Sequence, residues 1–184
     1  MGGSREQRFE DLLGEVYVPL QRYVRRRTPD GDDVLADVLL VLWRRLDDVP
    51  AGAVLPWSYG VARGCLRNAR RSSQRRWKLI LRLADEPAAP APAEDPALAQ
   101  AFATLGEGDR EVLRLWAWEQ LPAREIAVVL GITPNAASIR LHRATARLRT
   151  ALLGPTTAPG RVGVRKSWLP PGQEQEQQEQ EAPR

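Results

Sequence analysis

The chain has 184 residues, with Lys and Arg at 27 against Asp and Glu at 23, a net charge of +4 and a sequence pI near 9.8; that length allows one domain or two small ones. A single cysteine, Cys65, excludes an intrachain disulfide and a cysteine-built zinc site. The longest unbroken apolar run, 38–43, falls far short of the ~20 residues of a membrane span, and the opening MGGSREQRFEDLL lacks the apolar stretch of a signal peptide, so a cytoplasmic protein without membrane insertion is expected.

No strand pattern is present, and the predicted fold is all-α. Phe9, Leu12, Leu13, Val16, Leu20 and Tyr23 keep a helical period. A second helix is predicted over about 32–46, with Val34, Leu35, Val38, Leu39, Leu42 and Leu46 on its apolar side and Asp32 and Asp33 at its positive end. The loop 47–55 contains Pro50 and Gly52, and Pro56 opens a third helix to about Leu83. Arg63, Arg67, Arg70, Arg71, Arg75, Arg76, Lys78 and Arg82 lie in one acid-free stretch of it. Such a local field points to a polyanion, most simply nucleic acid. Apart from Lys78 and Lys166 the basic residues are all arginine. The arginine fork suits phosphates and guanine edges, although a GC-rich genome produces the same bias.

Prolines at 87, 90, 92 and 96 in DEPAAPAPAEDP cannot continue a helix and favour extended, semi-rigid chain. The stretch divides a helical unit at 5–83 from a second at 97–153, leaving a linker at 84–96. Helices are predicted over 97–105, 109–118, 123–130 and 134–152. The tail 154–184 turns to Pro, Thr, Gly and Gln/Glu repeats and is expected to be disordered, because it has too little apolar surface to offset its ordering entropy. Trp168 and Leu169 within it read either as a small docking point or as an incidental exposed aromatic.

The densest information lies at 123–149, AREIAVVLGITPNAASIRLHRATARLR. Ala127, Gly131 and Ala137 carry the spacing of a helix-turn-helix: a small residue facing the partner helix, glycine in the turn, and a small apolar residue returning to the core. Thr133 can cap the second helix, and Pro134 fits a first turn where no backbone donor is needed. Ala137, Leu141, Ala144, Leu148 and Leu152 make one buried stripe; Arg140, Arg143 and Arg147 make a cationic one. A packed helix with a cationic outer face suits a DNA major groove.

Catalysis finds no foothold. His142 is the sole histidine and lies on the basic helix, where it reads as a DNA contact or a surface position. The pairs Asp32/Asp33 and Asp47/Asp48 read as helix caps rather than metal ligands. No phosphate-binding glycine loop, nucleophile-base constellation or metal-ligand spacing occurs. The expectation is therefore a protein that is not an enzyme, with no catalytic residue, no metal, no cofactor and no small-molecule substrate.

Three motifs in order resemble the extracytoplasmic-function sigma factors, the two-domain minimal class of the sigma-70 family, over 5–153. DDVLADVLLVLWRRL at 32–46 is similar to the helix that docks on the clamp helices of RNA polymerase. Asp33, Asp37, Leu42 and Trp43 match, with Arg44 beside them, while Ala36 and Val41 replace a usual glutamine and arginine. LPWSYGVARGCLRNARRSSQRR at 55–76 resembles the helix that captures the melted minus-10 element. Trp57, Tyr59, Ala62 and Arg63 match; Gly60 and Gly64 replace a usual arginine and asparagine, and Asn68 lies one turn on. The third motif is the helix-turn-helix, where Arg110, Glu111, Val112, Leu113, Leu121, Glu125, Ile126 and Ala127 match and RLHRA at 140–144 fits the recognition helix.

The resemblance implies a sigma region 2 helical bundle and a sigma region 4 helix-turn-helix. It implies binding to core RNA polymerase through Asp33, Asp37, Leu42, Trp43 and Arg44. Melted minus-10 bases fall to Trp57, Tyr59, Arg63, Arg67, Asn68 and Arg71, and minus-35 duplex to Ser138, Ile139, Arg140, His142, Arg143 and Arg147. An extruded base needs an aromatic and polar pocket, and the adjoining strand needs cations; Trp57 and Tyr59 also fit as core or staple residues. Serine at 138 stands where a basic residue is common. The linker is expected to thread polymerase channels or to act as a plain tether, and an anti-sigma factor is an expected partner. A dimeric helix-turn-helix regulator has no use for a second cationic, aromatic-bearing helix, and a purely protein-binding module none for the arginine stripes.

Overall fold

The computed structural model describes residues 4–80 and 95–154, and for 74–80 the backbone alone. The linker between Ile80 and Asp95, the tail beyond Gly154 and the side chains of Arg75, Arg76 and Lys78 lie outside the described residues. What is described is helical: α1 (Arg5–Arg25), α2 (Gly31–Arg44), a short 3-10 turn (Leu46–Asp48), α3 (Val54–Ile80), α4 (Pro96–Thr104), α5 (Glu107–Ala117), α6 (Ala123–Leu130) and α7 (Pro134–Leu153).

Local chemistry sets most of the helix starts. Ser4 Oγ accepts from the Gln7 amide at 3.2 Å, capping α1. Asp95 Oδ1 accepts from the Ala97 and Leu98 amides at 2.9 and 3.1 Å, and Pro96 follows in the first turn of α4. The reversal from α1 into α2 depends on Gly31, where a Cβ would sit 2.9 Å from Arg25 Cγ and 3.2 Å from Arg25 Cα. Three of the four paired aspartates make side-chain ion pairs instead of the anticipated caps. Asp32 meets Arg25 at 2.9 Å, Asp47 meets Arg5 and Arg8 at 2.8 and 3.0 Å, and Asp48 meets Arg45 at 2.8 Å.

The apolar faces of α1, α2 and α3 close on one another around Val16, Leu20, Val38, Leu42 and Ala62, all fully buried. This core does not stop at the boundary between the two predicted units. The same cluster continues through Leu115, Leu121, Ile126, Val129 and Ala137, so α6 packs directly against α3. A smaller cluster around Leu105, Leu113 and Ala144, with Phe102 and Leu148 against it, ties α4 and α5 to α7. The predicted buried stripe of α7 holds from Ala137 to Leu148 and fails at Leu152, which is 42% exposed because the helix has by then run past its partners.

Candidate nucleic-acid interface

The turn between α6 and α7 has the geometry its residues predict. Gly131 adopts φ 66°, ψ 40°, a left-handed conformation cheap only for glycine. Its amide reaches Val128 O at 3.3 Å and that of Ile132 reaches Ala127 O at 3.0 Å, which closes the C-terminus of α6. Thr133 Oγ1 accepts from the Ala136 amide at 3.2 Å and Pro134 occupies the first turn of α7. The buried Ala137 and Ala144 hold α7 against its neighbours.

The opposite face of α7 is open. Ser138, Ile139, Arg140, His142 and Arg143 are all exposed, with Asn135 on the same side in the first turn. Sequence reasoning passed over Asn135, although an exposed amide at the start of a groove-sized helix can pair with an adenine edge. Arg147 is exposed but not free: its Nη1 pairs with Asp109 of α5, whose side chain is only 14% exposed. Arg140 and Arg143 have no acidic partner among the described residues.

The cationic helix α3 divides differently. Arg67, Asn68 and Arg71 are exposed, and Trp57 is half-buried beneath the Arg45 guanidinium, 5.1 Å from the ring centroid. Tyr59 is 3% exposed, its ring 4.8 Å from that of Tyr23, so in this arrangement it is a core residue with no surface to stack on a base. Burial pushes the Tyr59 hydroxyl up to about 12, with the Glu119 carboxylate adding to the rise. Arg63 is half-buried and lines, with Tyr23, Arg27, Arg67, Glu107 and Glu111, a cleft of about 190 Å³ between α3 and α5.

On α2, Asp33, Asp37 and Arg44 are exposed along one side. Trp43 packs edge-on against Phe9 at 5.1 Å, with Arg5 over its ring at 5.3 Å. Leu42 does not belong to that surface: it is fully buried, four residues on from the equally buried Val38, and serves the core rather than a docking face. Among the described residues no helix is long and apolar enough to cross a membrane, and no group of His, Cys, Asp and Glu is arranged to hold a metal ion.

Residues 96–148 match the family model described as Sigma-70, region 4. RNA polymerase sigma factor CarQ of Myxococcus xanthus is 32% identical over 155 residues, covering 78% of this chain and 88% of that protein. A probable RNA polymerase sigma factor, RfaY, of Xanthomonas campestris pv. campestris is 28% identical over 144 residues, covering 71% of this chain and 36% of that protein. The chain thus spans about a third of RfaY and most of CarQ. Among solved structures, a chain in the complex of the sigma factor RpoE with the anti-sigma factor NepR from Bartonella quintana has a TM-score of 0.59 at 20% identity, covering 78% of this chain and 96% of that one; the likeness is one of fold. A chain in the complex of CnrH with the cytosolic domain of CnrY has a TM-score of 0.52 at 25% identity, covering 78% and 86%.

Proposed function

The chain belongs to the sigma-70 family of RNA polymerase sigma factors, in its extracytoplasmic-function class, and we propose that it binds core RNA polymerase and directs promoter-specific initiation. The observation that carries this reading is the exposed row Ser138, Ile139, Arg140, His142 and Arg143 on a helix whose turn, cap and buried alanines fix its orientation, inside the segment that matches region 4.

In this reading α7 enters the major groove of the minus-35 duplex. Arg140 and Arg143 present planar forks that pair with guanine O6 and N7, whereas Ser138 offers a short, permissive donor or acceptor. The exposed Arg67, Asn68 and Arg71 of α3, with Trp57 near the start of the same helix, take the minus-10 strand, which leaves the duplex as its bases are captured and so needs no ATP. Asp33, Asp37, Trp43 and Arg44 supply the polymerase contact. The units are 5–83 for docking and minus-10 capture and 97–153 for minus-35 anchoring, with 84–96 spanning them and 154–184 as a tail. The protein works without catalysis or a cofactor of its own, in the cytoplasm. An anti-sigma factor is a further partner, a reading supported by the fold likeness to RpoE, which was solved bound to the anti-sigma factor NepR.

The test is reconstitution. The purified chain is added to core polymerase lacking any sigma factor, and promoter-specific run-off transcripts are measured. Co-elution with core and initiation at a defined start are expected. Duplex binding by the chain alone, without either, would mean a helix-turn-helix regulator instead.

A further inference from the structure

The cleft between α3 and α5 holds more positive charge than its own carboxylates balance. Arg27, Arg63, Arg67 and Arg70 line it against Glu107 and Glu111, an excess of two charges. Glu119, which pairs with Arg27 from outside the cleft, also pairs with Arg26, so counting both leaves that excess unchanged. The excess reaches Arg114 of α5. Burial holds its guanidinium below the ordinary arginine range, Glu111 opposes that, and Arg27, Arg110 and Arg70 lower it further.

The unspent donors converge on the cleft. Arg70 Nη1 meets Glu107 Oε1 at 2.8 Å, and Tyr23 Oη donates to Glu111 Oε1 at 2.9 Å. Arg63 and Arg67 have no ion-pair partner among the described residues. The Arg27 side chain is 2% exposed, and its Nη1 is taken up by Glu119 at 2.9 Å. Along its other edge, Nε and Nη2 are buried without a hydrogen-bond partner. Nε stands 3.7 Å from Glu111 Oε2, which turns this edge toward the cleft and is too far for a hydrogen bond. Buried donors call for an acceptor, and such an edge takes two oxygens of one anion. The start of α5 adds another donor. Gly106 caps it without a side-chain hydrogen bond, and Gly108 in that first turn lines the cleft with nothing within 4 Å of where a Cβ would stand. Its amide lacks an acceptor within the helix and suits an anion.

Volume and the carboxylates narrow the ligand. About 190 Å³ equals the share of about six water molecules, which admits a tetrahedral oxyanion but falls below the ~300 Å³ of a site for larger organic ligands. An ionised carboxylate only accepts hydrogen bonds, so Glu107 repels a fully ionised oxyanion and welcomes one that carries a proton. At neutral pH sulfate has no proton to give, whereas the hydrogen phosphate dianion has one and cancels the excess of two charges.

We propose that the α3–α5 cleft is a binding site for hydrogen phosphate, held by the free edge of Arg27, by Arg63 and by the Gly108 amide, with its proton donated to Glu107. The site stands whether or not α3 also meets a promoter strand, so failure of run-off transcription would leave it intact.

The test titrates the full chain, without polymerase, by calorimetry in a phosphate-free buffer held at constant ionic strength. Inorganic phosphate is expected to bind saturably, one ion per chain. Sulfate, which lacks the proton, and adenosine monophosphate, whose ester replaces the protonated oxygen, are expected to bind at least about tenfold more weakly. Arg63→Gln should weaken phosphate by about tenfold or more. Glu107→Gln exchanges an acceptor for an amide that also donates, so sulfate should bind it at least about tenfold more tightly than wild type. Circular dichroism checks that each variant is folded. Phosphate that never saturates, sulfate or the nucleotide binding wild type as tightly as phosphate, undiminished phosphate binding by Arg63→Gln, or no gain of sulfate by Glu107→Gln would each overturn the site. The wild-type titrations decide the matter even if a variant fails to fold.

Discussion

Arg27 Nη1 lies 2.9 Å from Glu119 Oε1, with 2% of either side chain exposed. Its guanidinium also stacks 3.6 Å from the centroid of the Tyr23 ring, and Nε and Nη2 are buried with no hydrogen-bond partner among the described residues. Removing one member of such a pair strands the other charge in the interior, at a cost of about 3–5 kcal/mol, whereas replacing both with apolar groups of similar volume is often neutral. Glu119→Ala is therefore expected to lose several kcal/mol in urea unfolding, and the Arg27→Met, Glu119→Leu double variant much less. A single variant as stable as wild type would mean that the pair is hydrated in solution.

Two buried tyrosines make the same surface sensitive to alkali. Burial raises Tyr59 to about 12, and burial together with the Glu111 carboxylate raises Tyr23 further. A raised folded-state value means that stability is complete below the ordinary tyrosine value of ~10 and is lost as pH rises through the folded one. The urea midpoint should therefore fall through about pH 10–12, and Tyr59→Phe should blunt that fall while costing little at neutral pH. An unchanged alkaline profile in Tyr59→Phe would show that its hydroxyl is not desolvated.

Where chemistry is local, the sequence was legible. Gly131, Thr133 and Pro134 are read correctly because a positive φ, an N-cap and a first-turn proline each depend on neighbours within a few residues. Leu42 shows a signal overridden: its spacing from Val38 is a core period, yet motif resemblance places it on a docking face, and packing returns it to the interior. Tyr59 has no such signal, since an aromatic on a cationic helix suits a base stack and a core equally well. The Arg27, Glu111 and Glu119 cluster was beyond reach. Its members lie in α5 and in two turns far apart in the chain, and only tertiary folding brings them together.

The turn into α7 offers a local measure of how firmly the recognition helix is held. Thr133→Ala deletes the acceptor of the Ala136 amide and is expected to cost about 1 kcal/mol, with Thr133→Ser nearly restoring it. Gly131→Ala forces a Cβ into a left-handed conformation and is expected to cost about 1–2 kcal/mol. Both losses are read from urea midpoints. Duplex affinity should weaken without a change in base preference, because the caps hold the helix and read no base. Altered preference at any promoter position would place Thr133 in the groove instead.

The arginines of α7 do not stand alike, and their differences predict separate phenotypes. Arg140 and Arg143 project freely from the open face, whereas Arg147 is engaged by Asp109. A base-reading arginine is worth about 1–3 kcal/mol at a single position, and a phosphate contact weakens all sequences alike while lowering the salt slope by about one. Arg143→Ala is therefore expected to relax selectivity at one base pair of the minus-35 element. Arg147→Ala is expected to weaken all promoters evenly, and only modestly, since binding phosphate first requires leaving Asp109. Asp109→Asn frees that guanidinium and should tighten duplex binding uniformly at low salt, an effect that fades as salt screens the phosphates. Fluorescence titrations of single-base promoter variants across a salt series check all three. Uniform losses for Arg143→Ala would remove it from base reading, and no gain for Asp109→Asn would show that Arg147 does not reach the backbone.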